Sequence, residues 1–129
     1  MTSATVIGGR TTIVKEFGFE AAHHFPHKPA DHANTRMHGH SFRVEVALTG
    51  TPDPATGCVV DFEDLDRALS AVRARLDHHL LNAVPGLATP SLENLARWIA
   101  EQLRPQFAAL ASVTVRRPSC GEAARFEPT

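Results

Sequence analysis

The stretch that decides the fold is HGHSFRVEVALT, residues 38–49, in which apolar and polar side chains alternate with a period of two. Side chains two residues apart lie on the same face of a β-strand. One face therefore carries an apolar run, formed by Phe42, Val44, Val46 and Leu48. His38 and His40 lie on that same face. Burial of two imidazoles is costly unless a partner such as a metal ion takes their lone pairs.

An upstream run alternates in the same way and supplies a third histidine. A strand is predicted from about Thr11 to His23, and its inward face carries Phe17, Phe19, Ala21 and His23. Three histidines from two strands can form a metal site with one coordination position open. Zinc suits such a site, although iron, nickel or cobalt accept the same ligands. The structural alternative is that His38 and His40 are hydrogen-bonded core residues.

The middle of the chain predicts a turn, a short strand and a helix. Residues 50–57 are dense in Pro and Gly and lead to a short strand at residues 58–60, which would form a hairpin with the strand before it. Asp61 is a candidate N-cap of a helix that ends near residues 77–79. The apolar face of this helix carries Leu65, Leu69, Val72 and Leu76.

The remainder predicts a second helix and a last strand. The helix begins at Ser91 and ends at Pro105, and its apolar stripe consists of Leu92, Leu95, Ile99 and Leu103. Residues 112–116 alternate as a strand, whereas the tail, residues 118–129, is loop-like. Hairpin strands followed by consecutive helices indicate an α+β fold, in which an antiparallel sheet carries both helices on one face.

Size and composition exclude several classes of protein. The 129 residues are expected to form one domain, residues 1–129. The net charge is −1 and the basic residues are scattered, which argues against a nucleic-acid partner. Residues 1–10 lack the apolar core of a signal peptide and no stretch resembles a membrane span, so a cytoplasmic protein is expected. Cys58 and Cys120 are expected to be free thiols.

An acid and a histidine are adjacent where the first helix ends, at Asp77 and His78. A histidine at a helix C-terminus is stabilised as a cation by the helix dipole, which is a structural role. The two side chains could equally form a couple that orients and transfers a proton. Adjacent helical residues do not face each other, so the sequence leaves open whether they touch.

Five segments taken in order carry a family resemblance: FEAAH at residues 19–23, HGHSF at 38–42, GCVVDF at 57–62, LDH at 76–78 and PSLEN at 90–94. Together they resemble the 6-pyruvoyl-tetrahydropterin synthase and 6-carboxy-tetrahydropterin synthase family over nearly the whole chain. The resemblance implies a tunnelling fold, in which subunits join their sheets into trimeric barrels and two trimers stack as a hexamer. It also implies that zinc is held by His23, His38 and His40, and that an active site at a subunit interface uses Asp77 and His78.

The chain departs from the family at two functional positions. Where the family carries a proton-abstracting cysteine this chain has Asn34, and an amide cannot take a proton. Where the family carries a glutamate that anchors the pterin it has Arg117, which would present donors to donors and favours an acidic ligand. In the alternative interpretation of the first position, Asn34 is a turn residue of the loop and His32 is the base. In that of the second position, Arg117 points into solvent and Glu122 supplies the carboxylate. The family also places substrate contacts near Ser91, whose simpler role is helix capping.

These features predict a zinc-dependent lyase or cyclase acting on a small acidic substrate that is not a standard pterin. Zinc would be the Lewis acid and His78 the proton shuttle, with Asp77 beside it. Arg117 would be a counter-ion for the substrate and Asn34 a hydrogen-bonding group. One alternative is a pterin-converting synthase that acts on dihydroneopterin triphosphate with a displaced base. Another is a catalytically silent oligomer that binds metal and ligand.

Overall fold

The computed structural model describes residues 5–129, so the first four residues of the predicted domain lie outside the described residues. The strands are β1 (Thr11–His23), β2 (His38–Gly50), β3 (Leu110–Arg117) and β4 (Glu122–Phe126). They form one antiparallel sheet in the order β1-β2-β3-β4. Two helices, α1 (Phe62–Leu76) and α2 (Leu92–Leu103), pack against its apolar face. The predicted α+β class is confirmed.

The pairing of β1 with β2 is long and regular, running from Thr11 opposite Gly50 to His23 opposite His38. The alternation predicted for both strands is confirmed. At most 2% of the side chain is exposed at five inner-face positions, Phe19, Phe42, Val44, Val46 and Leu48, whereas Phe17 is partly buried. Each such burial contributes about 1.5–3 kcal/mol. A slip of one residue would move this set to the outer face, so the register that places the histidines is strongly specified.

Both helices begin at the predicted caps. The carboxylate of Asp61 accepts the Glu63 N–H at 2.8 Å, and the hydroxyl of Ser91 accepts the Asn94 N–H at 3.1 Å. The predicted apolar stripes of α1 and α2 are buried against the sheet. Helix α1 ends at Leu76, one residue before Asp77. The loop before α2 passes over the end of β1 that carries His23.

Two expectations about the other elements are wrong. Residues 58–60 form no strand, because the Cys58 carbonyl accepts the Asp53 N–H at 2.9 Å and closes a local loop. The tail is not a loop, since β4 pairs with β3 and widens the sheet. Gly121, with φ of +66°, makes the left-handed turn between them. Residues 122–126 alternate only weakly, and an edge strand of this kind depends on its partner more than on its own pattern.

Two further properties bear on assembly and location. Cys58 and Cys120 are exposed and unbridged, as expected. Across residues 5–129 no helix has both the length and the apolar character that a membrane crossing needs. Five large apolar side chains among residues 5–129 are exposed: Val6 and Ile7 near the N-terminus, each 90% exposed, and Val14, Met37 and Phe62, with exposed fractions of 45%, 63% and 48%.

Candidate metal centre and active site

Three histidines converge where β1 ends and β2 begins. His23 is directly opposite His38 in the register, and His40 follows two residues later on the same face. Their rings form a nearly equilateral triangle, with centroids 4.6, 4.9 and 5.0 Å apart. One ring nitrogen of each can be chosen so that all three lie within 4.8 Å of one another. The arrangement could hold one metal ion between the three rings.

Hydrogen bonds orient two of these rings for that purpose. The Pro90 carbonyl accepts from Nδ1 of His23 at 3.2 Å, and the Arg36 carbonyl accepts from Nδ1 of His38 at 2.8 Å. Because a carbonyl only accepts, Nδ1 carries the proton and Nε2 keeps its lone pair. Nε2 of His23 is buried and has no partner in the protein. Metal-ligating histidines commonly donate their other N–H to a backbone carbonyl, so the residues present fit a metal ion.

The surroundings favour the neutral form of His23 and His40. Burial lowers the pKa of His23 to about 4, and the nearby His38, His40 and Arg117 act in the same direction. Burial, Arg117 and His38 also lower the pKa of His40. A neutral imidazole is the form that binds a metal, so these rings are available as ligands near neutral pH.

Aromatic side chains enclose the three histidines. The Phe25 ring lies 4.9 Å from the His23 ring, and the Phe42 ring lies 5.8 Å from His23 and 5.7 Å from His40. His23 is 0% exposed. An apolar wall of this kind excludes water and strengthens electrostatic interactions at the metal position.

Asp77 and His78 touch, which the sequence had left open. The helix stops at Leu76, and Oδ2 of Asp77 lies 3.0 Å from Nδ1 of His78 and 3.2 Å from Nη2 of Arg73. The backbone of Glu20 in β1 holds the pair: its N–H donates to Oδ1 of Asp77 at 2.9 Å, and its carbonyl accepts the His78 N–H at 2.6 Å. The pair is therefore attached to the free edge of β1.

Two features of this pair are typical of functional sites. The Glu20 N–H holds the pKa of Asp77 below its ordinary value, and His78 and Arg73 act in the same direction with smaller effects. The Asp77 carboxylate therefore stays ionised beside the imidazole. His78 has φ of +59°, in the left-handed region that costs a non-glycine residue about 1–2 kcal/mol. Strain of this kind concentrates where a side chain must be aimed in one direction.

A cavity of about 600 Å³ lies between the end of the β1–β2 hairpin and the segment that follows α1. His40 lines it from the three-histidine side and His78 from the other. The structure also places Glu20 and Ser41 in its wall, and the Ser41 hydroxyl donates to Oε2 of Glu20 at 2.6 Å. Sequence reasoning missed both, because alternation puts them on the face opposite His23 and His40. Their position in FEAAH and HGHSF was the available signal.

Arg117 lies on the inner face of the sheet. It follows Val113 and Val115 at the period of two, and both valines are fully buried. Its side chain is only 17% exposed, Nη2 lies 3.0 Å from Oε1 of Glu122, and Nε is buried with no partner. Its charge lowers the pKa of His23 and His40. The predicted substrate residue thus shares the inner face of the sheet with the three histidines, and Glu122 is its partner.

Asn34 and Ser91 have backbone and capping roles in this structure. The Asn34 carbonyl accepts the Phe25 N–H at 2.7 Å, and its N–H donates to Nδ1 of His32 at 3.0 Å. Asn34 does not line the cavity shared by His40 and His78. The Ser91 hydroxyl caps α2, and Ser91 directly follows Pro90, whose carbonyl contacts His23.

Comparisons with known proteins agree on one family. The sequence profile described as 6-pyruvoyl tetrahydropterin synthase matches residues 12–129. The chain is 41% identical over 120 residues to a 6-carboxy-5,6,7,8-tetrahydropterin synthase of Synechocystis, covering 88% of this chain and 91% of that protein. It is 31% identical over 117 residues to a dihydroneopterin monophosphate aldolase of Pyrococcus furiosus, covering 91% and 94%.

Solved structures support the fold. The 6-pyruvoyl tetrahydropterin synthase of Caenorhabditis elegans superposes with a TM-score of 0.80 at 24% identity, covering 94% of this chain and 97% of that one. A protein of Wolinella succinogenes, WS1659, superposes with a TM-score of 0.76 at 18% identity, covering 95% and 100%. At these identities the likeness shows the fold alone.

Proposed function

Because this chain belongs to the 6-pyruvoyl tetrahydropterin synthase family, we propose that it is a zinc-dependent lyase or cyclase acting on a small acidic substrate other than a standard pterin. The observation that carries the proposal is the cavity lined by both His40 and His78. It brings a member of a three-histidine metal site and a carboxylate-paired imidazole to one volume, which is what metal-assisted proton transfer requires.

In this proposal His23, His38 and His40 hold the metal ion. When bound, zinc polarises a substrate oxygen and so acidifies the neighbouring C–H bond. The carbonyls of Pro90 and Arg36 keep two of the imidazoles in the ligating tautomer. Phe25 and Phe42 exclude water from the same region.

The protein groups move the proton and hold the substrate. His78 accepts or donates the proton at its ring, and ionised Asp77 fixes the ring orientation and stabilises its cationic form. Arg117 supplies a guanidinium for a substrate carboxylate. Asn34, which lies outside the cavity shared by His40 and His78, would offer an amide hydrogen bond only to a ligand that extends beyond that cavity. The Ser91 hydroxyl, which accepts from Asn94, can still donate to a ligand.

Zinc-loaded protein titrated with a fluorescent pterin, beside an Arg117→Glu variant, tests the choice of substrate. We expect no pterin binding by the wild type and binding by the variant, because a carboxylate at that position accepts from the pterin's amino and ring N–H groups. Tight binding by the wild type would contradict the assignment of a non-pterin substrate. In a turnover screen of small acids, His78→Ala should abolish conversion while zinc stays bound.

A second candidate is a pterin-converting synthase with a displaced base. It is favoured by the 41% and 31% identical relatives, whose names specify reactions on pterins, and by the Glu20 carboxylate in the cavity wall. Product formation from dihydroneopterin triphosphate would support it. No turnover of any substrate class would instead favour the silent binding oligomer.

We further propose that the chain assembles as a hexamer of two stacked trimers and acts in the cytoplasm. An open β4 edge and the exposed Val14 leave strand surface that further copies could cover. Sedimentation at micromolar concentration tests the assembly, and a monomer there would contradict it.

A further inference from the structure

We infer that Glu122 is a specificity-determining residue: it occupies Arg117 as an internal anion, and the carboxylate of a small dicarboxylate substrate displaces it. The inference rests on the proposed function for the metal ion, but its test does not require turnover. The substrate class is a short acid with one carboxylate for Arg117 and a second oxygen group for the three-histidine site.

Two orphaned atoms point to a ligand between these groups. Among residues 5–129, the buried side-chain nitrogen or oxygen atoms that lack a hydrogen-bond partner are Nε2 of His23 and Nε of Arg117. A buried donor without an acceptor is destabilising, because it has lost its hydrogen bond to water. A metal ion satisfies the first atom, but it cannot satisfy an arginine N–H. Nε of Arg117 therefore lacks an acceptor among residues 5–129.

The ion pair is asymmetric, and this asymmetry decides which partner moves. The Arg117 side chain is 17% exposed, whereas the Glu122 side chain is 54% exposed. Glu122 can turn into water with little loss, because solvent replaces its hydrogen bond. Arg117 is too buried for water to replace Glu122 in this way. Glu122 contacts Nη2 of Arg117, so Nε stays available to a ligand.

The hairpin keeps Glu122 in this competing position. Glu122 is directly opposite Arg117 in the β3–β4 register, across the turn that ends at Gly121. Its carboxylate Oε1 lies 3.0 Å from Nη2 of Arg117. Glu122 thus partly neutralises Arg117, so a ligand must carry enough negative charge to displace it from the guanidinium.

The charge balance favours a dianion. A divalent ion and Arg117 together carry three positive charges and the ligating histidines are neutral, while Glu122, once displaced into water, no longer offsets them. A ligand with two carboxylates offsets two of these charges, whereas a neutral ring offsets none. Spacing between the carboxylates then selects among short acids.

Isothermal titration of zinc-loaded protein with malonate, succinate, glutarate and acetate tests the inference. At least one dicarboxylate should bind more tightly than acetate. Arg117→Gln should weaken its binding at least about tenfold, because the fork of charged donors is lost. Glu122→Gln should tighten it about threefold to tenfold, because a competing charge is removed. The matched control is Glu127→Gln, which removes the carboxylate 3.3 Å from Arg125 and should leave affinity unchanged.

Weaker binding in Glu122→Gln would overturn the inference, since Glu122 would then merely hold Arg117 in position. Equal affinity in the wild type and Glu122→Gln, or no preference for any dicarboxylate, would also overturn it. Zinc content and thermal unfolding of each variant exclude loss of metal or fold as the cause. Zinc uptake separates the two proposals. A chain that takes up no zinc, but whose dicarboxylate binding is weakened by Arg117→Gln and tightened by Glu122→Gln, would sink the proposed metal chemistry and retain the competition of Glu122 for Arg117.

Discussion

The three-histidine site and the Asp77–His78 pair each contribute one residue, His40 and His78, to the same cavity, but they are built in opposite ways. His23, His38 and His40 extend the inner faces of two paired strands, and His23 is completely buried. His78 lies just past a helix end, in a left-handed conformation, with a side chain that is 79% exposed. Regular strands thus hold the proposed metal ligands rigidly, whereas the proposed proton-transfer group depends on a few contacts with the edge of β1.

The difference indicates a division of labour. A metal site gains from fixed ligand geometry, and a sheet register provides it without local strain. The proposed proton-transfer residue, His78, lies past the end of α1 and lines the cavity. Its positive φ sets this direction, and its hydrogen bonds to the Asp77 carboxylate and the Glu20 carbonyl hold it.

The largest expected effect separates chemistry from stability at His78. His78→Gly should lower turnover of any substrate that the wild type converts by about two to four orders of magnitude, since a general acid–base group contributes that much. Its free energy of unfolding should rise by about 1 kcal/mol, because glycine adopts positive φ without strain. Unchanged turnover, or a strongly destabilised variant, would contradict this account of the pair. Steady-state kinetics and urea unfolding provide the two readouts.

The next largest effect concerns the proposed metal ligands on the paired strands. His38→Ala should weaken zinc affinity at least about 100-fold, since even a residue supporting a ligand is worth about 10–100-fold. His27→Ala is the matched control, because His27 is an exposed histidine of the neighbouring loop. Competition against a chromophoric chelator measures both. Equal affinities in the two variants would remove His38 from the metal site.

The two regions should also differ in their pH dependence. In metal-free protein, folded His23 stays neutral down to about pH 4, whereas the unfolded chain takes up its proton near 6.5. Stability should therefore fall as pH drops from 6.5 to 4, by at most about 3 kcal/mol. Ionised Asp77 contributes to the stability of the fold at pH values above 3.8, the ordinary pKa of its carboxyl group. This contribution is lost only at lower pH.

Urea unfolding between pH 4 and 7.5 tests this separation. A His23→Gln variant should lose most of the slope across that range, whereas Asp77→Asn should retain it. A flat profile for the wild type would show that His23 is not held neutral by burial.

The smallest expected effect tests a residue with two assigned roles. Ser91→Ala should lower the free energy of unfolding by about 1 kcal/mol, because the α2 cap is lost. Ser91→Asn keeps a capping side chain and should restore most of that stability. If Ser91 also contacts the ligand, dicarboxylate affinity should fall in both variants. If dicarboxylate affinity falls in Ser91→Ala and is restored in Ser91→Asn, as stability is, helix capping would be the only role of Ser91.

Local periodicity was sufficient for much of this protein. The alternation in HGHSFRVEVALT and in β1 predicted the two longest strands, their buried faces and the convergence of His23, His38 and His40. The caps Asp61 and Ser91, with their apolar stripes, predicted both helices. These features are readable in the sequence because each depends on residues within a few positions of one another.

Tertiary structure decided the remainder. Strand β4 exists because β3 offers it an edge, and the contact between Asp77 and His78 exists because the Glu20 backbone holds both residues. The sequence suggested two separate alternatives for Arg117 and Glu122, whereas the hairpin joins them in one ion pair beside the histidines. Such contacts link residues that are distant in sequence or depend on a turn conformation, so no local pattern of residue types specifies them.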